Sequence, residues 1–245
     1  MNTILEVNGS GGMTSDMHEE LYNAASQWLV KQPGWAPIIM AIGPCRHVVR
    51  PEREPYEALI RAVAYQQLTA KAGDAILNRL RIAFQTDVTL FPKPQELIDA
   101  DSEILRVCGF SARKVETLKG IAAGTFTGLV PSREEAVRLG DDELITRLTS
   151  LKGIGRWTVE MLLIYTLERM DIMPLDDFGV VEGLHYLHSP DLRLSKQELA
   201  ALSRHYAPYR TIVCWYLWRI PLLPDYKAFK ASRVATKKSG SVRGG

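Results

Sequence analysis

The sequence predicts an all-α protein. Apolar residues recur every three to four positions in segment after segment, and no run keeps up the two-residue alternation of a half-buried strand. The segments are short and separated by loops marked with Pro, Gly or Ser. With 245 residues, 46% hydrophobic and 24% charged, the chain holds enough apolar material for one large core or two small ones.

Residues 1–15 are polar and glycine-rich without periodicity, and read as disordered. From Asp16 a helix is expected with Leu21, Ala24, Ala25, Trp28 and Leu29 on one face, stopped by Pro33-Gly34. A short apolar piece, Trp35 to Ile42, ends at Gly43-Pro44, and the mixed-charge stretch from Arg46 to Glu54 reads as a linker. Pro55 suits the first turn of a helix carrying Leu59, Ala62, Val63 and Tyr65. Gln66-Gln67-Leu68-Thr69 separates it from a helix with Ala72, Ile76, Leu80 and Ala83.

Beyond Pro92 and Pro94 come two short helices, the second closed by Cys108-Gly109-Phe110. Ser111 can cap a helix with Val115, Leu118, Ile121 and Ala122, and Ser132 with Glu135 has the form of a capping box. Asp141 or Asp142 can cap Glu143 to Leu148, which runs into Leu151-Lys152-Gly153-Ile154-Gly155 and a helix from Arg156 to about Arg169. Three more helices follow: Val180 to Leu187, Leu199 to Tyr206 behind the Ser195/Glu198 capping box, and Tyr209 to Ile220. The last is apolar on nearly every face and is expected to be buried. Residues 232–245 form a basic, Gly- and Ser-rich tail read as disordered.

Composition excludes several function classes. No apolar run approaches the ~20 residues that span a bilayer, and the N-terminus lacks the basic start and long apolar core of a signal peptide. Cys45, Cys108 and Cys214 have no ligand-like spacing, which fits a reducing cytoplasm and speaks against zinc or an iron–sulfur cluster. His18, His47, His185, His188 and His205 likewise have no metal-ligand spacing. The net charge is +2, but Lys230, Arg233, Lys237, Lys238 and Arg243 concentrate positive charge at the end of the chain. The body is then close to neutral, so any contact with nucleic acid has to be local.

The glycine turn is the chemically informative stretch. Gly153 and Gly155 allow a tight turn directly before a helix, whose unpaired N–H groups and positive dipole end attract an anion. Lys152 and Arg156 flank it, so a phosphate is the natural ligand. Downstream stand Pro174-Leu175-Asp176-Asp177; helix capping is the plainer role for either aspartate, and a cap does not exclude catalysis.

Gly153-Ile154-Gly155-Arg156-Trp157-Thr158 followed by Pro174-Leu175-Asp176-Asp177 resembles the helix-hairpin-helix DNA glycosylases, most closely the 3-methyladenine DNA glycosylase II type. Gln66-Gln67-Leu68 and Gly109-Phe110-Ser111-Ala112-Arg113-Lys114 also look like family segments, and the resemblance covers roughly residues 54–225. It implies two helical subdomains with a DNA-binding cleft between them. One is residues 54–175 with the helix-hairpin-helix at about 143–169; the other joins 16–53 to 176–231.

The resemblance implies a role for each matching residue. Asp177 maps to the catalytic aspartate, with Asp176 the competing candidate. Trp157 and Trp218 match positions lining the base pocket, and Met161 stands where the family often has Tyr. Contacts to the DNA backbone fall on Lys152, Gly153, Ile154, Gly155, Arg156 and Thr158. Gln67, then Leu68, matches the wedge that fills the gap left by a flipped base. Strand-cutting relatives carry a lysine where this chain has Trp157, so a monofunctional enzyme without lyase chemistry is implied.

No catalytic cofactor is implied, only a structural Na or K ion on the backbone carbonyls of Thr149, Leu151 and Ile154. The implied partner is double-stranded DNA with alkylated bases of the 3-methyladenine and 7-methylguanine type, met by a cytoplasmic monomer without membrane contact. Two readings compete: a glycosylase for deaminated or oxidised bases, and a non-catalytic helix-hairpin-helix module. The latter has no use for the Asp177 and Trp157 pair.

Overall fold

The computed structural model describes residues 15–85, 91–188, 194–228 and 231. Residues 1–14 and the basic tail at 232–245, both expected to lack structure, lie outside them. Every regular element among the described residues is a helix. The described residues divide into two compact units, one formed by those up to 48 together with those from 169 on, the other by those within 49–168.

The first unit opens with α1 (Ser15–Val30) and α2 (Trp35–Ile42). The second contains α3 (Pro55–Tyr65), α4 (Ala70–Ala83), α5 (Pro94–Asp99), α6 (Ser102–Val107), α7 (Ala112–Phe126), α8 (Arg133–Ala136), α9 (Asp141–Thr149) and α10 (Arg156–Tyr165). The chain then completes the first unit with α11 (Phe178–His188), α12 (Lys196–His205), α13 (Arg210–Leu217) and a 3-10 turn, Ile220–Leu222.

In the second unit α3 is the central helix, buried over Pro55, Tyr56, Ala58–Ile60 and Ala62–Ala64, with α4, α7 and α10 packed on it. In the first unit α13 holds that place. Thr211 to Leu217 are all buried, among Leu29, Trp35, Val180 and Leu184. Gly183 lets α11 lie backbone-close on α13, since a Cβ there meets Leu217 Cβ at 2.9 Å and its carbonyl oxygen at 3.1 Å.

The crossings between units fall at 48/49 and 168/169, a few residues upstream of the expected boundaries at 53/54 and 175/176, and local bonds show why. Arg50 N–H donates to Tyr165 O at 2.7 Å and Arg133 N–H to Glu54 Oε2 at 3.0 Å, so residues 49–54 belong with α10 and α8. On the other side, Thr211 Oγ1 donates to Arg169 O at 2.7 Å and accepts from Ile172 N–H at 3.1 Å. Those bonds tie residues 169–172 to the start of α13.

Several helix limits differ from the sequence reading. Helix α10 stops at Tyr165, not near Arg169, because Glu168 is left-handed at φ 58° and Arg133 takes both Thr166 O and the Glu168 carboxylate. Asp141 and Asp142 do not cap α9. Gly140 is its N-cap and both acids lie in the first turn, near the positive dipole end. Ser132 Oγ accepts from Glu135 N–H, but the Glu135 carboxylate turns to Arg147 instead of closing a capping box. The helix expected over Tyr209 to Ile220 is α13 followed by the 3-10 turn.

Candidate active site

The hairpin between α9 and α10 is pinned by Leu151 and Ile154, both buried. Gly153 is required twice over: its φ is +87°, and a Cβ would lie 2.0 Å from Thr117 Oγ1. Gly155 is different. It is the N-cap of α10 at φ −97° and ψ 169°, a Cβ there meets nothing within 4 Å, and no side chain caps the helix. A Cβ position at the start of α10 is therefore open and that helix end has no side-chain cap, the arrangement that suits an anion.

The flanking cations are not idle. Lys152 Nζ lies 2.7 Å from Glu116 Oε2, both exposed, and this pairing holds the Glu116 carboxyl below its ordinary pKa. Arg156 Nε lies 2.9 Å from Glu160 Oε1, whose side chain is buried. Thr158 faces inward at 1% exposure, its Oγ1 accepting from Gln66 Nε2 at 2.9 Å and its N–H bonded to Gly155 O. Its side chain is turned into the protein and supports the turn. Ile154 is likewise an apolar anchor, so only its backbone can face a ligand.

Gln66, which sequence reasoning treated only as part of a motif, proves to be a strut. Its Nε2 also donates to Gly153 O at 3.3 Å, joining the end of α3 to the hairpin. Gln67 and Leu68 then project from a type II β-turn. Gln66 has φ −49° and ψ 122°, Gln67 has φ 58°, and Leu68 N–H donates to Tyr65 O at 3.1 Å. The left-handed position usually belongs to glycine, so a glutamine there costs about 1 kcal/mol or more. Both Gln67 and Leu68 are exposed. Trp157 and Met161 are half-buried and one helical turn apart on α10.

Asp177 lies in the other unit. Its N–H closes a turn onto Pro174 O at 3.0 Å, and its Oδ1 caps α11 by accepting from Val180 N–H at 3.0 Å. The same oxygen accepts from Trp218 Nε1 at 2.8 Å. Asp176 is exposed and faces Lys196 at 3.4 Å. Of the two aspartates, Asp177 alone caps the helix and carries the indole bond.

Helix α13 organises this corner from both ends. At its start, Arg210 grips Asp171 with Nε at 2.7 Å and Nη2 at 2.9 Å, and Thr211 takes Arg169 O. At its end, Trp218 reaches Asp177. Gly179 makes that reach possible, since a Cβ there would lie 2.8 Å from Trp218 Cδ1 and 3.2 Å from Asp177 Oδ1. Phe178, 72% exposed beside Asp177, is a further aromatic the sequence reading passed over. Its only sequence signal was its place directly after the aspartate.

Among the described residues no three or more His, Cys, Asp or Glu side chains converge as a metal site, and Cys45, Cys108 and Cys214 form no disulfide. Burial pushes the Cys45 thiol up to about 12, which disfavours its thiolate form.

Residues 60–208 match the HhH-GPD superfamily of base excision DNA repair proteins. The chain belongs to that superfamily. It is 52% identical over 175 residues to DNA-3-methyladenine glycosylase 1 of Schizosaccharomyces pombe, covering 71% of this chain and 76% of the relative. It is 35% identical to the alkylbase DNA glycosidase-like protein mag2 of the same yeast, covering 77% of this chain and 88% of the relative. Among solved structures, the S. pombe 3-methyladenine DNA glycosylase in complex with abasic DNA aligns with a TM-score of 0.76 at 47% identity. That alignment covers 83% of this chain and 98% of the other. Superfamily membership gives the hairpin and the downstream aspartate a common context, base excision.

Proposed function

We propose that this protein is a monofunctional DNA glycosylase that excises alkylated bases in base excision repair, with Asp177 as its catalytic carboxylate. The observation that carries the reading is the pair of donors on Asp177 Oδ1, from the first turn of α11 and from Trp218, in a chain 52% identical over 175 residues to a 3-methyladenine glycosylase.

The chemistry follows from the substrate. Alkylation at N3 or N7 leaves a purine nucleotide cationic, so when the C1′–N bond breaks its electron pair neutralises the departing base. Little acid catalysis is needed. Positive charge passes to the deoxyribose, and a fixed carboxylate opposes it as in other oxocarbenium-like reactions. Water then bonds to C1′ and loses its proton to Asp177 or solvent, leaving a free base and an abasic sugar. The indole face of Trp157, with Met161 beside it, suits an electron-poor cationic base. Gln67, backed by Leu68, is the group that fills the gap in the stack.

The duplex backbone is held at the hairpin by the amide N–H groups of Gly153 and Gly155, with Lys152 and Arg156 beside them. The protein acts as a monomer. No catalytic cofactor belongs to this reading. A structural Na or K ion fits the carbonyls of Thr149, Leu151 and Ile154 chemically. Leu151 O accepts one bond, from Ile154 N–H at 3.1 Å, and a carbonyl has a second lone pair.

Release of free base from duplexes carrying 3-methyladenine, 7-methylguanine or 1,N6-ethenoadenine tests the reading. Release should be lost in Asp177→Asn. Excision confined to deaminated or oxidised bases would replace the alkylbase assignment, and DNA binding without any excision would replace the enzyme with a binding module.

A further inference from the structure

We propose that Lys114 is a positioning residue for base flipping, holding the Tyr65–Leu68 turn in the conformation that presents Gln67. Its Nζ donates to Gln66 O at 3.0 Å and to Ala64 O at 3.4 Å, beneath the turn. The placement runs against the lysine's own helix. Lys114 is in the first turn of α7, where Ser111 caps its N–H and the positive dipole end disfavours a cation. Burial also pulls its pKa below the ordinary lysine value. The α3 carbonyls at the negative end of that helix answer both costs.

The turn needs such support because it is strained. Gln67 is left-handed at φ 58°, and relaxing it swings the side chain away from its presented direction. Two other ties frame the same turn. Gln66 Nε2 binds Gly153 O and Thr158 Oγ1, and Tyr65, whose OH donates to Asp74 Oδ1 at 2.5 Å, lies over Gly73. Among the described residues Lys114 is the side chain whose bonds fall on the carbonyl of Gln66 itself, the peptide that must be oriented for Gln67 to be left-handed. A plug pre-formed in this way enters the stack without first ordering its own loop.

This inference rests on the glycosylase reading and on Gln67 as the wedge. Single-turnover excision of the lesion that the wild-type protein releases fastest tests it, with that lesion placed opposite a normal base or opposite an abasic site. A lesion without a partner base is already partly unstacked and depends less on a plug. Lys114→Met should slow the fully paired substrate about tenfold, as expected for one lost charge-assisted hydrogen bond, and the abasic-opposed one less than about twofold.

In a Gln67→Ala background the same substitution should add nothing, because the group it positions is gone. Lys114→Gln, which keeps a donor near the same carbonyls, should be intermediate on the paired substrate only, and it carries the comparison where Lys114→Met does not fold. Equal slowing on both substrates, or additive loss in the double variant, overturns the inference while leaving the glycosylase reading intact. Release of no lesion by the wild-type protein overturns the glycosylase reading itself.

Discussion

The indole N–H of Trp218 donates to Asp177 Oδ1 at 2.8 Å, on the oxygen that already accepts the Val180 N–H at the start of α11. One side chain, expected from sequence as a wall of the base pocket, thus also fixes the carboxylate. The two functions separate in Trp218→Phe, which keeps an aromatic face and loses the donor. Single-turnover excision should fall about ten- to a hundredfold, the loss of one hydrogen bond to a charged group, while lesion-DNA affinity changes little. A large drop in affinity with an unchanged chemical step would show that Trp218 acts only as a wall.

Asp177→Asn removes charge and keeps the cap, because Asn caps a helix as well as Asp. Thermal stability should stay within about 1 kcal/mol of wild type while excision falls at least about a hundredfold. Asp176→Asn should be near normal, since that carboxylate is exposed and meets only Lys196 among the contacts seen here. The reverse pattern would exchange the two roles.

What the sequence made legible here is local. Ser111, Ser195 with Glu198, and Pro55 mark helix starts within a few residues of themselves, and Gly153 announces its turn because only glycine accepts that φ readily. What it hid depends on contacts between distant positions. Gln66 and Gly153 are separated by 87 residues, Trp218 and Asp177 by 41, and no periodicity encodes either meeting. The end of α10 falls short of the expected Arg169 for the same reason. Its stop is Glu168, a non-glycine in the left-handed region, held by an arginine 35 residues upstream.

The two hairpin glycines should fail differently. Gly153→Ala forces a positive φ on alanine and drives its Cβ into Thr117, so it should lose at least about 2 kcal/mol of stability. Gly155→Ala violates nothing inside the protein, so it should fold within about 1 kcal/mol of wild type. Its methyl group stands where a phosphate would approach, and duplex affinity should drop. Chemical denaturation paired with DNA titration separates them; an unaltered affinity in Gly155→Ala means the backbone is gripped elsewhere.

The monofunctional reading rests on Trp157, whose indole cannot form an imine. Borohydride added during base release should therefore trap no covalent protein–DNA complex. Reproducible trapping would reveal an amine nucleophile and end the monofunctional assignment.

The last expectation concerns how a nearly neutral body grips a polyanion. Lys152 and Arg156 both start paired, to Glu116 and Glu160, but the partners differ in burial. Glu160 is buried, and stripping its cation away carries a desolvation cost that keeps Arg156 in place. Glu116 is exposed, its pair with Lys152 is screened by solvent, and Lys152 can exchange it for a phosphate. Glu116→Gln should then tighten duplex binding by roughly two- to fivefold, within what a surface pair can withhold. Lys152→Met should weaken binding and reduce the slope of log K against log salt by about 1, the share of one neutralised phosphate. With few such contacts, the protein lacking residues 232–245 should show a slope of only roughly −2 to −4. Titrations at several salt concentrations check all three. A steep slope that survives both tail removal and Lys152→Met would place the grip on a basic surface away from the hairpin.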